Sequence, residues 1–261
     1  MSTYQRVKHN LKRHQFLFEE LVKRDFKKKY KRTVLGMGWS LLSPLLSLLV
    51  MKMVFTQFFG RNTPHYTIYI FCGNLIWSYF SEATHGGMRS LLDNASIFTK
   101  VNVPKYLFLL SKNVQSLLSF LLTIVILFIF VIFDSIELGW HFLFLLYPVV
   151  LLLFFNIGIG MILSALFVFF RDTEYLYEVF LRLLMYCSAI FYNVDHYSAK
   201  IQRIFLINPV YLFIKYFRNI IIGPSVPSLA FHLLMLGHTV VALAVGSYMY
   251  KKYNTRFLYY V

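Results

Sequence analysis

The stretch FKKKYKRTVLGMGWS, from Phe26 to Ser40, joins a dense basic cluster to the start of a long uncharged run. Its cations are Lys27, Lys28, Lys29, Lys31 and Arg32. No Lys, Arg, Asp or Glu then follows between Thr33 and Met51. A basic cluster of this kind has three interpretations: a nucleic-acid patch, a solvated helix face, or the inner anchor of a membrane span.

Composition favours the membrane anchor. The chain has 261 residues, of which 58% are hydrophobic and only 14% are charged. Soluble domains carry about 25% charged residues, so a soluble fold of this size would lack polar surface. The net charge of +15 is also uneven, because 11 of the 26 Lys and Arg residues precede Thr33. We therefore expect an integral membrane protein that does not bind nucleic acid.

Long apolar runs predict an all-α protein with six membrane-spanning helices, since a bilayer core needs roughly 20 apolar residues in a helix. The predicted spans are approximately 33–59, 66–88, 106–133, 141–169, 176–194 and 229–250. This division leaves residues 1–32 as a cytoplasmic amphipathic segment and residues 251–261 as a cytoplasmic tail. The whole six-span domain covers residues 33–250.

The cations of the short loops place both termini in the cytoplasm. The loop over residues 85–105 carries Arg89, Lys100 and Lys105, on the same side as the basic N-terminal segment. The loop between the first two spans has only Arg61, and the loop over residues 134–139 has no Lys or Arg. The connection over residues 195–228 is discordant, because it carries four cations on the predicted outer side.

The segment before the first span is predicted to be an interfacial helix. Phe18, Val22, Phe26 and Tyr30 recur every four residues while lysines fill the other face, which is typical of a basic amphipathic helix on a membrane surface. Asp25 falls within the apolar arc and makes the amphipathic pattern imperfect.

The long connection before the last span is predicted to contain short helices. Residues 210–222 are apolar and aromatic but too few to cross a bilayer. Asn208-Pro209 and Gly223-Pro224 mark the two ends of this piece. We expect a pair of re-entrant or interfacial helices, with a plain surface loop as the alternative.

Motifs for energy coupling are absent from the sequence. No G-x-x-x-x-G-K-[ST] occurs, so ATP is not expected to bind this chain, and no cofactor is expected in it. Gly158 and Gly160, with Ser164, indicate close helix packing. Cys72 and Cys187 lack metal-ligand spacing and are expected to be buried thiols. A channel, a secondary transporter, a membrane enzyme and one half of a two-part machine all remain open.

The run RDFKKKYKRTVLGMGWSLLSPLL, Arg24 to Leu46, resembles the start of the first span in polysaccharide-exporting type-2 ABC transporter permeases. Those subunits show an acidic-apolar-basic run, a tyrosine, and then L-G-x-x-W-x-L-x-x-P. The matching positions are Tyr30, Leu35, Gly36, Trp39, Leu41 and Pro44. FTKVNVPK (Phe98 to Lys105), FFRDTEYL (Phe169 to Leu176) and Asn208-Pro209 are similar to weaker motifs of the same family.

The resemblance implies a transport subunit rather than an enzyme. Such permeases form homodimers in the bacterial cytoplasmic (inner) membrane and engage a separate nucleotide-binding subunit, which binds ATP and Mg²⁺. They export a glycan or polyol-phosphate chain on a polyprenyl-pyrophosphate carrier, as in the assembly of O-antigen, capsule, rhamnan or teichoic acid. Membrane lipids are the remaining partner that the family implies.

The resemblance also implies a coupling helix between Asp93 and Lys105, where the ATPase subunit would dock. The residues assigned to it are Asn94, Ile97, Phe98, Lys100, Val101 and Pro104. Asp93 or Asn94 is predicted to cap the helix, and Ile97 and Phe98 to offer an apolar surface. An ordinary cytoplasmic turn is the alternative.

Aromatic side chains within the spans are candidates for a glycan path, because their flat faces and polar tips suit sugars. The candidates are Tyr69, Trp77, Tyr79, Phe80, Tyr186, Phe191 and Tyr192. Core packing or a lipid-facing aromatic belt explains the same residues.

Charged residues near the spans receive three further assignments. Lys52 and Arg61 are candidate contacts of the carrier pyrophosphate, with snorkelling to the headgroups as the alternative for Lys52. Glu178 and Arg182, four residues apart, are predicted to pair. The interfacial anchor consists of Lys27, Lys28, Lys29, Lys31, Arg32 and Trp39.

Three other functions compete with glycan export. A drug- or haem-exporting ABC permease shares the architecture but not the Leu-Gly-x-x-Trp spacing. A membrane-embedded glycosyl or acyl transferase would need clustered Asp or His residues, whereas Asp93, Asp134, Asp172 and Asp195 fall in different loops. A channel would leave the coupling-type loop unexplained.

Overall fold

The structure, a computed structural model, describes residues 3–30, 35–59, 64–101 and 103–260. Within these ranges the chain forms α-helices, short 3-10 turns and loops, and no strand. The helices are α1 (Thr3–Tyr30), α2 (Trp39–Phe59), α3 (Tyr66–Arg89), α4 (Ala95–Phe98), α5 (Tyr106–Phe133), α6 (Leu146–Phe169), α7 (Thr173–Cys187), α8 (Ala199–Phe205), α9 (Pro209–Ile221) and α10 (Leu229–Tyr253). The predicted all-α fold is confirmed for this part of the chain.

Four segments of the described chain are long and apolar enough to cross a membrane. They are Trp39–Thr56, Tyr106–Phe133, Trp140–Phe169 and Leu229–Tyr253. Helices α8 and α9 meet at a bend of 109°, as in a broken span or a re-entrant loop, and counting them as one span raises the total to five. Six spans, and an interfacial position for α1, stay predictions.

Helices α3 and α7 lie where the sequence predicts the second and fifth spans, but neither is among these segments. α7 has 15 residues, which at 1.5 Å per residue makes it about 22 Å long, shorter than a bilayer core. It ends at Cys187, so residues 188–194 of the predicted fifth span are not helical. α3 has 24 residues but carries polar side chains along its length, among them Asn74 and Glu82.

Contacts between the helix ends define two opposite ends of the bundle. At one end, Leu21 of α1, Leu91, Phe98 and Phe257 belong to one buried apolar cluster. At the other end, His65 before α3 lies 2.6 Å, Nδ1 to Oδ2, from Asp134 after α5. Because α1 and the segment after α10 share an end, the chain between them crosses the bundle an even number of times.

Helix α6 sits at the centre and packs closely on both α3 and α10. A Cβ built on Gly158 would lie 2.6 Å from the carbonyl carbon of Ala242, and one on Gly160 would lie 3.5 Å from the Cα of Gly87. The Ser164 and Tyr250 hydroxyls are 2.7 Å apart. The prediction that these small residues mark close helix packing is confirmed.

The two cysteines differ in exposure. Cys72 on α3 is buried, as the sequence predicts, whereas the expectation of a buried Cys187 is wrong because this thiol is exposed. The physical reason is the position of α7. Among its described residues only Tyr177 is buried, and Cys187, its last residue, lies on the exposed side of the helix.

Candidate functional site

The acidic residue that interrupts the amphipathic pattern of α1 lies in a buried ionic junction with α5. The Asp25 side chain is 1% exposed, and its Oδ1 lies 2.7 Å from Arg24 Nη2 and 3.5 Å from Lys112 Nζ. Ser111 Oγ donates a hydrogen bond of 3.3 Å to the other carboxylate oxygen. A buried carboxylate requires such partners, and this requirement fixes α1 against the start of α5.

The same junction reaches the predicted coupling segment, residues 93–105. Arg24 Nη2 donates to Asn94 Oδ1 at 2.8 Å, and Asn94 Nδ2 donates to the Ser90 carbonyl at 2.8 Å. Asn94 stands at the N-cap position of α4, but its side chain makes no capping hydrogen bond. The predicted capping role of Asn94 is therefore wrong, because its amide is used to join α1 to this segment.

The coupling segment turns only part of its surface outward. The Phe98 side chain is buried, 5% exposed, with its ring centroid 5.9 Å from that of Phe108. Lys100 and Val101 are exposed, while Ile97 and Pro104 are half-buried. The apolar surface available to a partner therefore comes from Ile97 and Val101 rather than from the Phe98 ring.

A polar cavity of about 520 Å³ lies between α2, α3 and α5. Its polar lining consists of Ser40, Ser43 and Ser47 of α2, Asn74, Ser78 and Glu82 of α3, and Ser119 and Thr123 of α5. Spacings of three and four residues keep each of these groups on one face of its helix. Tyr79, a predicted glycan-path residue, and Trp39, a predicted anchor residue, also line this cavity.

A second cavity, of about 450 Å³, continues the polar lining along α3 and α5. Its residues are Ser81, Glu82, His85, Gly86, Lys112, Gln115, Ser116 and Leu181. Glu82 lines both cavities, and Lys112 belongs to the Asp25 junction. Polar groups within spans are costly and commonly mark a path for a polar substrate.

Beyond the end of α7, the chain is irregular, and side chains from other helices satisfy its carbonyl groups. Ala189 adopts a φ of 50°. The hydrogen bonds run from Asn208 Nδ2 to the Cys187 carbonyl (3.1 Å), from Arg218 Nη1 to Ala189 (2.9 Å), from Arg218 Nη2 to Ile190 (2.8 Å), from the Tyr66 hydroxyl to Phe191 (2.8 Å) and from the Tyr69 hydroxyl to Tyr192 (2.7 Å). Irregular backbone at membrane depth needs such internal partners, because lipid supplies none.

Arg218 is the central residue of this arrangement and has no assignment from the sequence. Its guanidinium is 3.4 Å from the centroid of the Tyr69 ring, and its Nε donates to the Tyr69 carbonyl at 3.1 Å. A Cβ on Gly73 would lie 2.9 Å from Arg218 Nη2. The available signal was a cation inside an apolar helix of 13 residues.

Several predicted glycan-path aromatics make packing contacts within the chain. The Phe191 and Phe55 rings stack at 4.4 Å, and the Tyr192 hydroxyl donates to the Tyr186 carbonyl at 2.7 Å. Phe80 lies against other aromatic rings, with Trp77 at 6.0 Å. Tyr79 is the path candidate that lines the polar cavity; Tyr69, Trp77, Phe80, Tyr186, Phe191 and Tyr192 are not among its lining residues.

The remaining charged candidates are placed as follows. Lys27 and Lys28 on α1 and Lys52 on α2 are exposed. Lys31, Arg32 and Arg61, and the side chain of Lys29, lie outside the described residues.

The predicted pair Glu178–Arg182 is not among the ion pairs of the described chain. Instead, Arg89 Nη1 lies 3.0 Å from Glu174 Oε1, joining α3 to α7. Ligand atoms of His85, Glu174 and Glu178 lie within 4.8 Å of one another, as in a metal site. Because the Arg89 guanidinium already supplies positive charge there, we assign this cluster to an ion pair.

Fold and site together define a polytopic helical membrane protein with a polar cavity between its helices and an ordered segment at one end. The ABC-2 type transporter family matches residues 17–222 of the chain. The chain therefore belongs to the ABC-2 type transporter family.

Three relatives align with most of the chain. An O-antigen export system permease protein RfbA of Klebsiella pneumoniae is 28% identical over 257 residues, 97% of both chains. A second RfbA of Klebsiella pneumoniae is 31% identical over 212 residues, 78% of this chain and 80% of the relative. The RfbA of Myxococcus xanthus is 26% identical over 256 residues, 97% and 98% of the two chains.

Replacement of Asp25 by Asn should detach α1 from α5, because Lys112 would be left half-buried without its carboxylate. Breaking a buried ion pair costs about 3–5 kcal/mol. A disulfide-trapping assay between cysteines placed on α1 and α5 reports the detachment. Glu20→Gln, which removes an exposed ion pair of the same helix, is the matched control and should trap like the unmodified chain. Equal trapping in Asp25→Asn would contradict the junction.

Replacement of Arg218 by Lys should loosen the irregular segment after α7, since one ammonium group cannot serve three carbonyls in fixed directions. Loss of two charge-assisted hydrogen bonds lowers stability by about 3 kcal/mol. Limited proteolysis in detergent should then cut residues 188–194 first. Lys215→Gln, on the same helix, removes a more exposed contact with Asp195 and should leave the cleavage rate unchanged. An uncleaved Arg218→Lys variant would refute the assignment.

Proposed function

We propose that the chain is the membrane-spanning subunit of a bacterial ABC exporter that moves a polyprenyl-pyrophosphate-linked glycan across the cytoplasmic membrane. The observation that carries this proposal is the polar cavity between α2, α3 and α5, because α2 and α5 are otherwise long and apolar enough to cross a membrane. The three relatives described above are O-antigen export permeases by name, and they extend over most or all of this chain.

The chemistry of the cavity favours a hydroxyl-rich cargo. Its serine and threonine hydroxyls and the Asn74 amide each donate and accept hydrogen bonds, as the hydroxyl groups of a sugar chain do. Tyr79 and Phe120 stack at 4.4 Å on the wall and add flat apolar surface. A drug or haem cargo, the alternative within the family, would be better served by an apolar lining. A teichoic acid-like polymer remains a second hydroxyl-bearing candidate.

We place the homodimer contact on α2 and α7. In the apolar stretch of α2, 11% of residues are buried within the chain, and α7 leaves large apolar side chains exposed, including Leu176 and Leu183. The cavity is bounded on one side by α2. A second copy against these helices would enclose the polar path between two subunits, with both termini in the cytoplasm.

The coupling segment is the proposed docking site of a separate nucleotide-binding subunit. Its exposed residues Asp93, Ser96, Lys100 and Val101 lie at the end of the bundle where α1 packs. ATP and Mg²⁺ would bind the partner, so this chain transports and does not catalyse. The basic residues of α1 would face anionic lipid headgroups of the same leaflet.

Filling the cavity should block export without preventing assembly. Ser78→Phe places a ring among the polar groups and should reduce glycan export at least about tenfold, since a blocked path removes its substrate contacts. The measurement is the pool of lipid-linked glycan inside cells, which should rise, while the ATPase still copurifies.

Val125→Phe is the matched control, because Val125 of α5 is 58% exposed on the outer surface of the bundle. It should export like the unmodified chain. Normal export by Ser78→Phe would exclude the cavity as the path. A lipid-linked glycan pool that does not rise when the whole protein is depleted would refute glycan export itself.

A further inference from the structure

The segment after α10 folds back onto the bundle. Asn254–Tyr260, here called the tail, contains a 3-10 turn at Arg256–Leu258. Phe257 in this turn is fully buried, with ring centroids 5.5 Å from Tyr250 and 5.8 Å from Phe169. At the far end of the tail, Arg171 Nη2 donates to the Tyr260 carbonyl at 3.2 Å. The tail is therefore a packed element, held at its middle and at its end.

The tail also touches the coupling segment through one lysine. Lys105 Nζ donates to the Asn254 carbonyl at 2.8 Å and lies 3.2 Å from Asn254 Oδ1. The same ammonium group lies 5.8 Å from the centroid of the Phe98 ring. Asn254 is the C-cap residue of α10, so its carbonyl lies at the negative end of the helix dipole, which attracts a cation. Lys105 thus bridges the tail and the coupling segment.

Apolar packing of Phe257 also connects the tail to the coupling segment. It belongs to the same buried apolar cluster as Leu91, Phe98 and Leu107, which precede, occupy and follow the coupling segment. The coupling segment itself is weakly built, since α4 has four residues and no side-chain cap. Its fixed position must come from neighbours, namely Arg24 on one side and the tail on the other.

We propose that the tail is a positioning element that holds the coupling segment in place against the ATPase subunit, through Phe257 of the tail and Lys105 of the coupling segment. The role of the coupling segment as a docking site rests on the proposed function. The ordering of that segment by the tail rests on the contacts alone. The two ideas can therefore fail separately.

Hydrogen exchange of the full chain in its complex with the ATPase subunit tests the ordering directly. Phe257→Ala, Lys105→Gln and truncation after Tyr253 should each speed exchange of the amides over residues 92–101 about tenfold, because local stability there would fall. Amides of α9, at the opposite end of the bundle, should exchange as in the unmodified chain. Phe257→Leu keeps the apolar packing and Lys105→Arg keeps the cation, so the amides in both variants should exchange as slowly as in the unmodified chain.

The control is Tyr259→Ala, since Tyr259 lies in the tail but is 85% exposed. It should behave as the unmodified chain. Unchanged exchange over residues 92–101 in Phe257→Ala and in the truncated chain would overturn the proposal. Faster exchange throughout the bundle, including α9, would overturn it as well, because the tail would then support the whole fold rather than this segment.

A coupling measurement separates this inference from the proposed function. In liposomes holding the full complex, the glycan moved per ATP should fall severalfold in Phe257→Ala while ATPase binding is retained. If the amides over residues 92–101 of the unmodified chain gain no protection when the ATPase subunit binds, the docking assignment fails. The comparison of exchange rates between the unmodified chain and the tail variants then still tests the tail proposal. If ATPase binding protects these amides but the tail variants move as much glycan per ATP as the unmodified chain, the tail proposal fails and the docking assignment stands.

Discussion

A polar group inside lipid must find its partner within the protein, and the most informative parts of this structure follow from that constraint. At the break after α7, Arg218 and two tyrosine hydroxyls satisfy four consecutive carbonyls from Ala189 to Tyr192. At the opposite end, the buried Asp25 carboxylate holds α1 on α5. Between these two ends, α3 and α5 share the polar cavity.

The polar residues of the bundle have two different roles. Around Arg218 and Asp25, the polar side chains pair with carbonyls and charges and thereby position the backbone. Serine, threonine and asparagine side chains also line an open space of about 520 Å³. A polar lining around open space is what a transported, hydroxyl-bearing chain requires. The proposal of a glycan path therefore rests on the cavity rather than on the aromatic residues.

The sequence predicted what depends on composition and spacing. It predicted the all-α fold, the close packing at Gly158 and Gly160, and the short helices around Pro209. It did not predict the role of Arg218 or the Asp25 junction. The partners of Arg218 lie 28 to 149 positions away along the chain, and Lys112 lies 87 positions from Asp25, so local spacing carries no information about these contacts. The break in the amphipathic pattern of α1 at Asp25 was the one sign in the sequence of the Asp25 junction. The Tyr69 and Tyr192 hydroxyls, which the sequence offers as candidates for a glycan path, donate to backbone carbonyls, and their part in such a path stays a prediction.

The central claim is that the cavity between α2, α3 and α5 carries a lipid-linked glycan. A photoreactive side chain in place of Ser78, in cells that make the glycan and contain the complete complex, tests it most directly. Illumination should link the protein to the lipid-linked glycan when ATP is present, and the same group at Val125 should link only to membrane phospholipid. Labelling of phospholipid alone at both positions would contradict the account.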